Sequence, residues 1–373
     1  MKEGWEYKKL GDITEIKGGK RLPKGVKLLT TPTEHPYIRV ADFNDFGTVD
    51  TDDIHYISDS VYEQIKRYII KKEDVYISIA GTIGKSGIIP DYLDGANLTE
   101  NACRLILSSN VCQRYVYYFT ISPSFIKQID ERTKKSAQPK LALTRLSDVI
   151  ITYPTIKEQQ SIVDYLDSAF AKIDAMKANA EKSLNEAKAL FQASLKEMLE
   201  PKEGWEEKTI EYFAKIIHGK NQKEVLDDNG LYPIYGSGGN IMGYANSYLC
   251  DEGTTILGRK GTIDNPLFIE EKFWNVDTAF GIIAKDNCNK KYLYYSILKV
   301  DWAKRNTGTT LPSLTQNVVY NVEMCAPSLK EQQSIVATLD SLKSKVDRLQ
   351  ENYNKISQEC DALKQAILRQ IFE

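Results

Sequence analysis

Pro154-Thr-Ile-Lys-Glu-Gln-Gln-Ser-Ile-Val163 returns almost unchanged as Pro327-Ser-Leu-Lys-Glu-Gln-Gln-Ser-Ile-Val336, and a Leu-Asp follows each copy at 166–167 and 339–340. Identity over Lys-Glu-Gln-Gln-Ser-Ile-Val at matching places marks an internal repeat, and a repeat governs every later reading of a chain. Thr155 and Ser328 stand three residues ahead of Glu158 and Glu331, the spacing of a capping box, and each follows a proline that cannot belong to a preceding helix. Both stretches therefore start helices. From Lys157 to Leu199 and from Lys330 to Phe372 there is neither Pro nor Gly, and Glu, Lys, Gln, Ala and Leu dominate. Each helix would be about 65 Å long at ~1.5 Å per residue.

The second helix carries an apolar stripe of Ile335, Leu339, Leu342, Val346, Leu349, Tyr353, Ile356, Cys360, Leu363 and Ile367, in alternating steps of three and four. This is the pattern of a coiled-coil seam. The first helix keeps the spacing with smaller side chains, Ile162, Leu166, Ala169, Ile173, Met176, Ala180 and Ala187, then Phe191 and Met198. Small residues facing larger ones permit close packing. A pseudo-two-fold relation between the halves predicts that the two helices pair antiparallel within the chain, with a globular domain at each end of a rod, and short links favour such neighbours. Periodicity alone also admits pairing with a helix of another molecule.

Upstream, Lys2-Glu-Gly-Trp-Glu6 returns as Lys202-Glu-Gly-Trp-Glu206, and both copies run on to Gly-Lys at 19–20 and 219–220. Between these anchors the agreement is loose: Gly81-Thr-Ile-Gly84 beside Gly261-Thr-Ile-Asp264, Asn97-Leu-Thr99 beside Asn275-Val-Asp277, and Tyr115-Val-Tyr-Tyr118 beside Tyr292-Leu-Tyr-Tyr295. The offset between copies falls from 200 to 173, so the second half carries net deletions. Stretches such as Asp74–Ala80 and Thr254–Leu257, bounded by Gly-rich turns, read as short strands. The expected fold is α+β: two pseudo-two-fold-related globular domains, 1–154 and 201–327, separated by an antiparallel coiled coil of two long helices, 155–200 and 328–373. A duplication that merely enlarges a structure would also repeat its scaffold. Differences confined to the middles suit a protein that recognises two different things.

Composition narrows the class without naming the task. A chain of 373 residues with 42% hydrophobic and 27% charged residues belongs to globular proteins of two or three domains, not to disordered or fibrous ones. No segment approaches the ~20 apolar residues of a membrane span, and the first residues lack the apolar stretch of a secretory signal, so a cytoplasmic location without membrane partners is expected. The six Cys have no Cys-x-x-Cys pair and no adjacent His, which argues against a zinc site or a disulfide framework and for reduced thiols. His35, His55 and His218 lack metal-ligand spacing. There is no arguable Ser-His-Asp set, no paired acidic motif and no Asn/Asp-Pro-Pro-aromatic tetrad, so neither catalytic nor metal-binding residues are expected. Gly84-Lys-Ser86 invites a phosphate-loop reading, but the required upstream glycine is Ile79, and the second copy, Gly258-Arg-Lys-Gly-Thr262, lacks the signature. A net charge of −2 is silent about local patches.

Those glycine-rich turns suit close approach of backbone and cations to a phosphate backbone, although a hairpin with solvated charges would look the same. The polar clusters combine cations for phosphates with amides and hydroxyls for base edges. The candidate DNA-contacting residues are Lys20, Arg21, Arg39, Lys85, Ser86, Lys134, Lys135, Gln138 and Lys140 in the first half. In the second they are Lys220, Tyr235, Ser237, Asn240, Arg259, Lys260 and Thr262.

The repeated Gly-Trp start with its Gly-Lys, the repeated Pro-x-x-Lys-Glu-Gln-Gln-Ser-Ile-Val and the long helix after each resemble the specificity subunit of type I restriction-modification systems. Tyr232-Pro-Ile-Tyr-Gly-Ser-Gly-Gly239, Gly258-Arg-Lys-Gly-Thr262 and Trp274-Asn-Val-Asp-Thr-Ala279 resemble that family's target recognition domains. Tyr37-Ile-Arg-Val-Ala-Asp42 and Ala80-Gly-Thr-Ile-Gly84 belong to a different variety. The resemblance covers the whole chain. It implies double-stranded DNA with a bipartite site as partner, each half reading one part while the helices set the gap. A ~65 Å rod corresponds to about one to two duplex turns of ~34 Å. It further implies two modification subunits that bring S-adenosylmethionine, and restriction subunits that use ATP and Mg2+, with no cofactor on this chain. Two other classes compete: a self-contained nuclease or methyltransferase, and a bivalent protein-binding adaptor.

Overall fold

A computed structural model describes residues 5–133 and 139–373. Two compact units divide the chain: Met1–Ala178 together with Lys355–Glu373, and Asn179–Asn354. Each unit thus contains a stretch of both long helices, which run over Ile156–Met198 and Leu329–Phe372.

In the first unit, strand Glu6–Lys9 pairs antiparallel with Ile150–Tyr153. A four-stranded antiparallel sheet follows in the order Thr14–Gly18, Ala102–Leu107, Val75–Ser78, Ser86–Gly87. A three-stranded sheet places Pro36–Ile38 between His55–Tyr56 and Asn97–Leu98, the last pairing being parallel. Strand Val75–Ser78 is buried along its whole length because it has a core on both faces. Val75 and Ile77 point into a cluster with Tyr115, Val116 and Phe119, while Tyr76 points into another with Phe43 and Ile89, as the two-residue period of a strand requires.

The second unit repeats this plan with different sequence. Glu206–Thr209 pairs with Glu323–Ala326. The larger sheet runs Ala214–His218, Ala279–Ala284, Thr254–Gly258, Leu267–Ile269, and the smaller places Tyr232–Tyr235 between Ile241–Ala245 and Trp274–Asn275, the latter again parallel. Leu257 faces one core and Ile256 the other.

Within each unit the two helices run antiparallel, as the repeat predicts. In the first, Lys364 Nζ lies 2.5 Å from Asp174 and Lys177 Nζ 3.3 Å from Asp361, so position rises on one helix as it falls on the other. In the second, Lys188 donates to Gln350 at 2.7 Å, and Phe191, Leu195 and Leu199 share a core with Val346, Leu339 and Ile335. Intramolecular pairing therefore occupies the seam. Two expected seam residues fall outside it: Met176 is 59% and Leu363 49% exposed, whereas Leu184, Leu195, Leu199, Leu368 and Phe372 are buried. An α-helix drifts off a strict heptad over such a length, and the helix ends also face a globular core, where Phe372 meets Tyr115 and Phe119 at ring distances of 5.3 and 5.6 Å.

The repeated motif joins globular part and helix in the same way twice. Thr155 N and Oγ1 donate to Glu158 Oε2 at 2.9 and 2.8 Å, and Ser328 does the same to Glu331 at 2.8 and 2.7 Å, as a capping box demands. The other carboxylate oxygen receives the indole N–H of Trp5 (3.4 Å) or Trp205 (3.2 Å). Next comes a buried glutamine. Gln159 accepts from Cys112 N at 2.8 Å and donates to Pro154 O at 3.0 Å; Gln332 accepts from Asn289 N at 2.7 Å and donates to Pro327 O at 3.0 Å. Two turns on, Asp167 accepts from Arg114 and the Tyr118 hydroxyl, and Asp340 from Lys291 and the Tyr295 hydroxyl. Burial and the adjoining carboxylate push the Tyr118 phenol up to about 12, and that of Tyr295 upward likewise, so both remain donors at neutral pH.

All six cysteines are free and five are buried; burial pushes Cys103, Cys250 and Cys288 up to about 12, so they stay unreactive thiols. Among the described residues no helix is long and apolar enough to cross a membrane. Replacing Gln159 or Gln332 by Leu strands a buried N–H and a buried carbonyl, and should cost about 1–3 kcal/mol. A lower urea midpoint for the unit carrying the change is the expected result; an unchanged midpoint would show that the amide does not secure the joint.

Candidate nucleic-acid interface

In the second unit the candidates gather around one turn. Strand Thr254–Gly258 ends in Arg259-Lys260-Gly261-Thr262, where Gly261 adopts φ +87°, a conformation that favours glycine. The Arg259 and Lys260 amides donate to Thr278 O at 2.8 and 3.1 Å, so backbone bonds anchor the turn. The Arg259 guanidinium donates to Asp277 O at 3.4 Å and sits 5.9 Å from the Phe280 ring centre. His218 meets that ring edge-on and the Gln316 side chain at 2.5 Å. The loop Gly236–Asn240 lies against the turn: a side chain built on Gly238 would touch Thr262, and one on Gly261 would touch Ser237. Lys220 joins from the other side, its N–H donating to Asn275 O at 3.0 Å, while Asn275 pairs with Tyr235 in the sheet. Among the described residues, no carboxylate comes within 4 Å of the Lys220, Arg259 or Lys260 side chains. These three cations carry no acidic partner there.

Tyr235 differs from its neighbours. Its ring packs edge-on to Phe273 and its hydroxyl donates to Glu271 at 3.1 Å, toward a cleft that carries Glu270, Asp340, Asp347 and Glu351 as well. Burial and then Glu271 push this phenol upward. The hydroxyl is thereby engaged by a carboxylate, at a cleft whose lining mixes these acids with Lys291, Lys343 and Arg348.

In the first unit Ile79 and Ala80 stand where the second has Arg259 and Lys260, their amides both donating to Asn101 O, and the turn Gly81–Lys85 follows them. Lys85 is ion-paired with Asp45 at 2.9 Å, Arg21 with Glu100 at 2.5 Å, and Arg39 with both Asp42 and Asp53 at 2.5 and 3.2 Å. Hydrogen bonding to Asp42 raises Arg39 further above its ordinary value. Lys20 stacks 5.4 Å over Tyr68, and it and Lys140 are exposed without a carboxylate partner among the described residues. Ser86 must be corrected: it is 4% exposed and its hydroxyl bonds Thr120 at 2.8 Å. It lies on the edge strand of the four-stranded sheet, where the turn ahead of it has already re-entered the sheet and the end of the helix Gln113–Thr120 covers it. Lys134, Lys135 and Gln138 fall outside the described residues.

One further element belongs with these candidates although its own sequence does not announce it. The loop Asn306–Ser313 lies on the second unit's turn: Gly261 N donates to Pro312 O at 2.9 Å, Lys260 bridges to Ser313, and Leu314 N donates to Arg259 O at 2.8 Å. A signal exists in the repeat. The offset of 173 that relates the two helix starts carries the polar cluster 134–140 onto 307–313. The structure repeats the link, with Ala80 bridged to Lys140 and Leu141 N donating to Ile79 O at 2.9 Å. Among the described residues no group of three His, Cys, Asp or Glu is placed to hold a metal ion.

Residues 2–186 and 202–358 each match the family described as Type I restriction modification DNA specificity domain. The chain is 28% identical over 159 residues to the Type I restriction enzyme EcoBI specificity subunit of Escherichia coli, covering 42% of this chain and 33% of that protein. It is 25% identical over 234 residues to a putative type I specificity subunit of Mycoplasma pneumoniae, covering 59% and 61%. The matches thus span between a third and three-fifths of these curated relatives. In fold, the chain is similar to one from a structural study of complex assembly and conformational transition of the type I R-M system, with TM-score 0.80, 16% identity and coverage of 98% and 97%. It is also similar to the HsdS subunit of Thermoanaerobacter tengcongensis, with TM-score 0.59, 16% identity and coverage of 100% and 97%.

The unequal engagement of the cations has a measurable consequence. Arg39→Ala deprives the buried Asp42 carboxylate of its cationic partner, leaving it the backbone N–H of residue 39, and should lower stability by about 1–3 kcal/mol, whereas Lys260→Ala should stay within about 0.5 kcal/mol of the parent. Equal urea midpoints for the two variants would contradict this division.

Proposed function

The chain belongs to the type I restriction modification DNA specificity domain family, and on that premise we propose that it is the DNA-specificity subunit of a type I restriction-modification complex. Each globular half reads one part of a bipartite site. The two long helices set the gap and dock two modification subunits, which bring S-adenosylmethionine; restriction subunits bring ATP and Mg2+. This chain supplies the address and leaves the chemistry to its partners.

The observation that carries the reading is that one sheet topology occurs twice, with strand ends held by the same backbone bonds, while the turns on those ends differ in length, charge and amide content. Gly19 N and Lys20 N donate to Ala102 O and Leu98 O; Gly219 N and Lys220 N donate to Ala279 O and Asn275 O. A common frame with exchangeable polar edges suits direct readout of two unlike half-sites, because base discrimination rests on side chains at groove edges and orientation on phosphate contacts. Lys220, Arg259 and Lys260 have the chemistry of phosphate contacts, and Ser237, Asn240 and Thr262 that of base contacts.

Methylome sequencing of a host carrying the gene with its partner subunits should reveal one split motif, methylated in both halves. Turnover of DNA by the purified chain alone, with Mg2+ and S-adenosylmethionine supplied, would overturn the assignment. Arg259→Ala or Lys260→Ala should weaken binding through the second half-site and reduce the salt slope by about one unit for each phosphate no longer neutralised, with the first half-site's footprint unchanged. Removing one heptad within 176–190, with a matched deletion in the second helix, should shorten the gap and preserve both half-sites. Altered base preference at a constant gap would refute the role of the helices.

A further inference from the structure

We infer that the loop Thr307–Ser313 is a base-reading element of the second half-site and that Leu311 is its apolar contact with the nucleobases. This rests on the DNA-reading function proposed above, and names a residue that reads.

The loop is built as a presented tip. Asn306 Oδ1 accepts from Gly308 N and Ser313 N, both at 2.8 Å, and its amide donates to Gly308 O at 3.1 Å. Thr307 closes the base of the loop, with N and Oγ1 both donating to Ser313 O at 2.9 and 3.0 Å. A side chain built on Gly308 would strike Leu311 O, so the loop doubles tightly back at that point. Thr309, Thr310 and Leu311 are left outside, with Leu311 54% exposed. Folding gains little from a leucine held in water on a hydrogen-bonded loop. A surface that covers it gains the burial of the side chain.

Charge identifies what that surface is. From Ala303 to Leu314 there is no acidic residue, and the preceding turn contributes Lys304 and Arg305. Lys304 is held by Asp301 at 2.8 Å, but the loop base is fastened to the Arg259–Lys260 turn, whose cations have no acidic partner among the described residues. An apolar tip flanked by such cations and two hydroxyls fits a DNA groove: the cations take phosphates while the tip reaches bases. Leucine can meet a base in two ways, against a thymine 5-methyl in the major groove or wedged between base pairs at a step. The shared chemistry is apolar contact with a nucleobase.

Leu311→Ala in the full chain, assembled with its partner subunits, tests this. The variant should bind its own site about ten- to a hundredfold more weakly, with the first half-site's footprint intact and the melting temperature unchanged. Replacing thymines of the second half-site by uracil, one at a time, identifies the methyl contact: one substitution weakens the parent and leaves Leu311→Ala indifferent. 2-Aminopurine at successive steps identifies the wedge: fluorescence rises at one step with the parent and not with the variant. Either outcome supports the assignment. A parent that protects both half-sites, with Leu311→Ala binding equally well and equally selectively, overturns the role of Leu311 and leaves the DNA-reading function standing. A parent complex that protects neither half-site overturns that function itself.

Discussion

A side-chain amide buried at the start of each long helix is the constraint on which the rest depends. Gln159 and Gln332 each join three chain segments: the proline before the helix, the helix itself and the cap of a short tyrosine-bearing helix in the globular part. Glutamine can do this because its amide accepts and donates at once, and burial makes both bonds costly to leave unmade. The carboxylates on either side in sequence, Glu158 and Asp167 or Glu331 and Asp340, fasten the outer edges of the same joint. A sheet that merely rested on a helix could rock. One tied by capping glutamate, buried amide and tyrosine-bound aspartate is held along two turns, which fixes the start of the helix to its globular part.

That rigidity explains how the turns can differ so widely. The strand ends are fixed by backbone bonds, such as those from Lys20 and Lys220 to Leu98 and Asn275 of the smaller sheets, and backbone bonds place no demand on side-chain identity. Arg259 and Lys260 can be exchanged for other residues without loosening Thr254–Gly258, and the first half shows such an exchange already made, with Ile79 and Ala80 standing at the same strand end. Variation therefore concentrates where the frame does not need a particular residue.

The frame is legible in the sequence for the same reason. Capping boxes, proline boundaries and helix-forming composition are local signals, and each duplicated motif residue has a duplicated partner: Trp with Glu, Gln with backbone, Asp with Tyr. The seam is less legible beyond Cys360 and around Met176, because a heptad count ignores the globular core that Leu368 and Phe372 also serve. At the candidate interface, residue type reveals charge but not engagement. Nothing local tells that Arg39 is also held by Asp53, that Ser86 is buried against Thr120 at a helix end, or that the Tyr235 hydroxyl turns to Glu271; all depend on which segments the fold brings side by side. The loop Asn306–Ser313 is within reach of the repeat offset, but its composition carries no run of cations to mark it.

On the DNA-reading function proposed here, the two halves would meet a polyanion in different ways. In the second, Lys220, Arg259 and Lys260 have no carboxylate among the described residues to give up, and counterions displaced on neutralising phosphates would contribute to affinity directly. In the first, Arg21, Arg39 and Lys85 are each engaged with a carboxylate, so a phosphate must compete with an existing partner, and the gain from any such exchange is reduced by the pair it breaks. Asp45, at 93% side-chain exposure, can be left in water at little expense. Asp42, buried at 4%, cannot, so Arg39 is bound to remain where it is. Among these paired cations Lys85 is therefore far better placed than Arg39 to change partners, and of the described candidates in the first half Lys20 and Lys140 have no carboxylate to give up. A net charge near zero conceals this asymmetry, since it counts cations without asking which are spoken for.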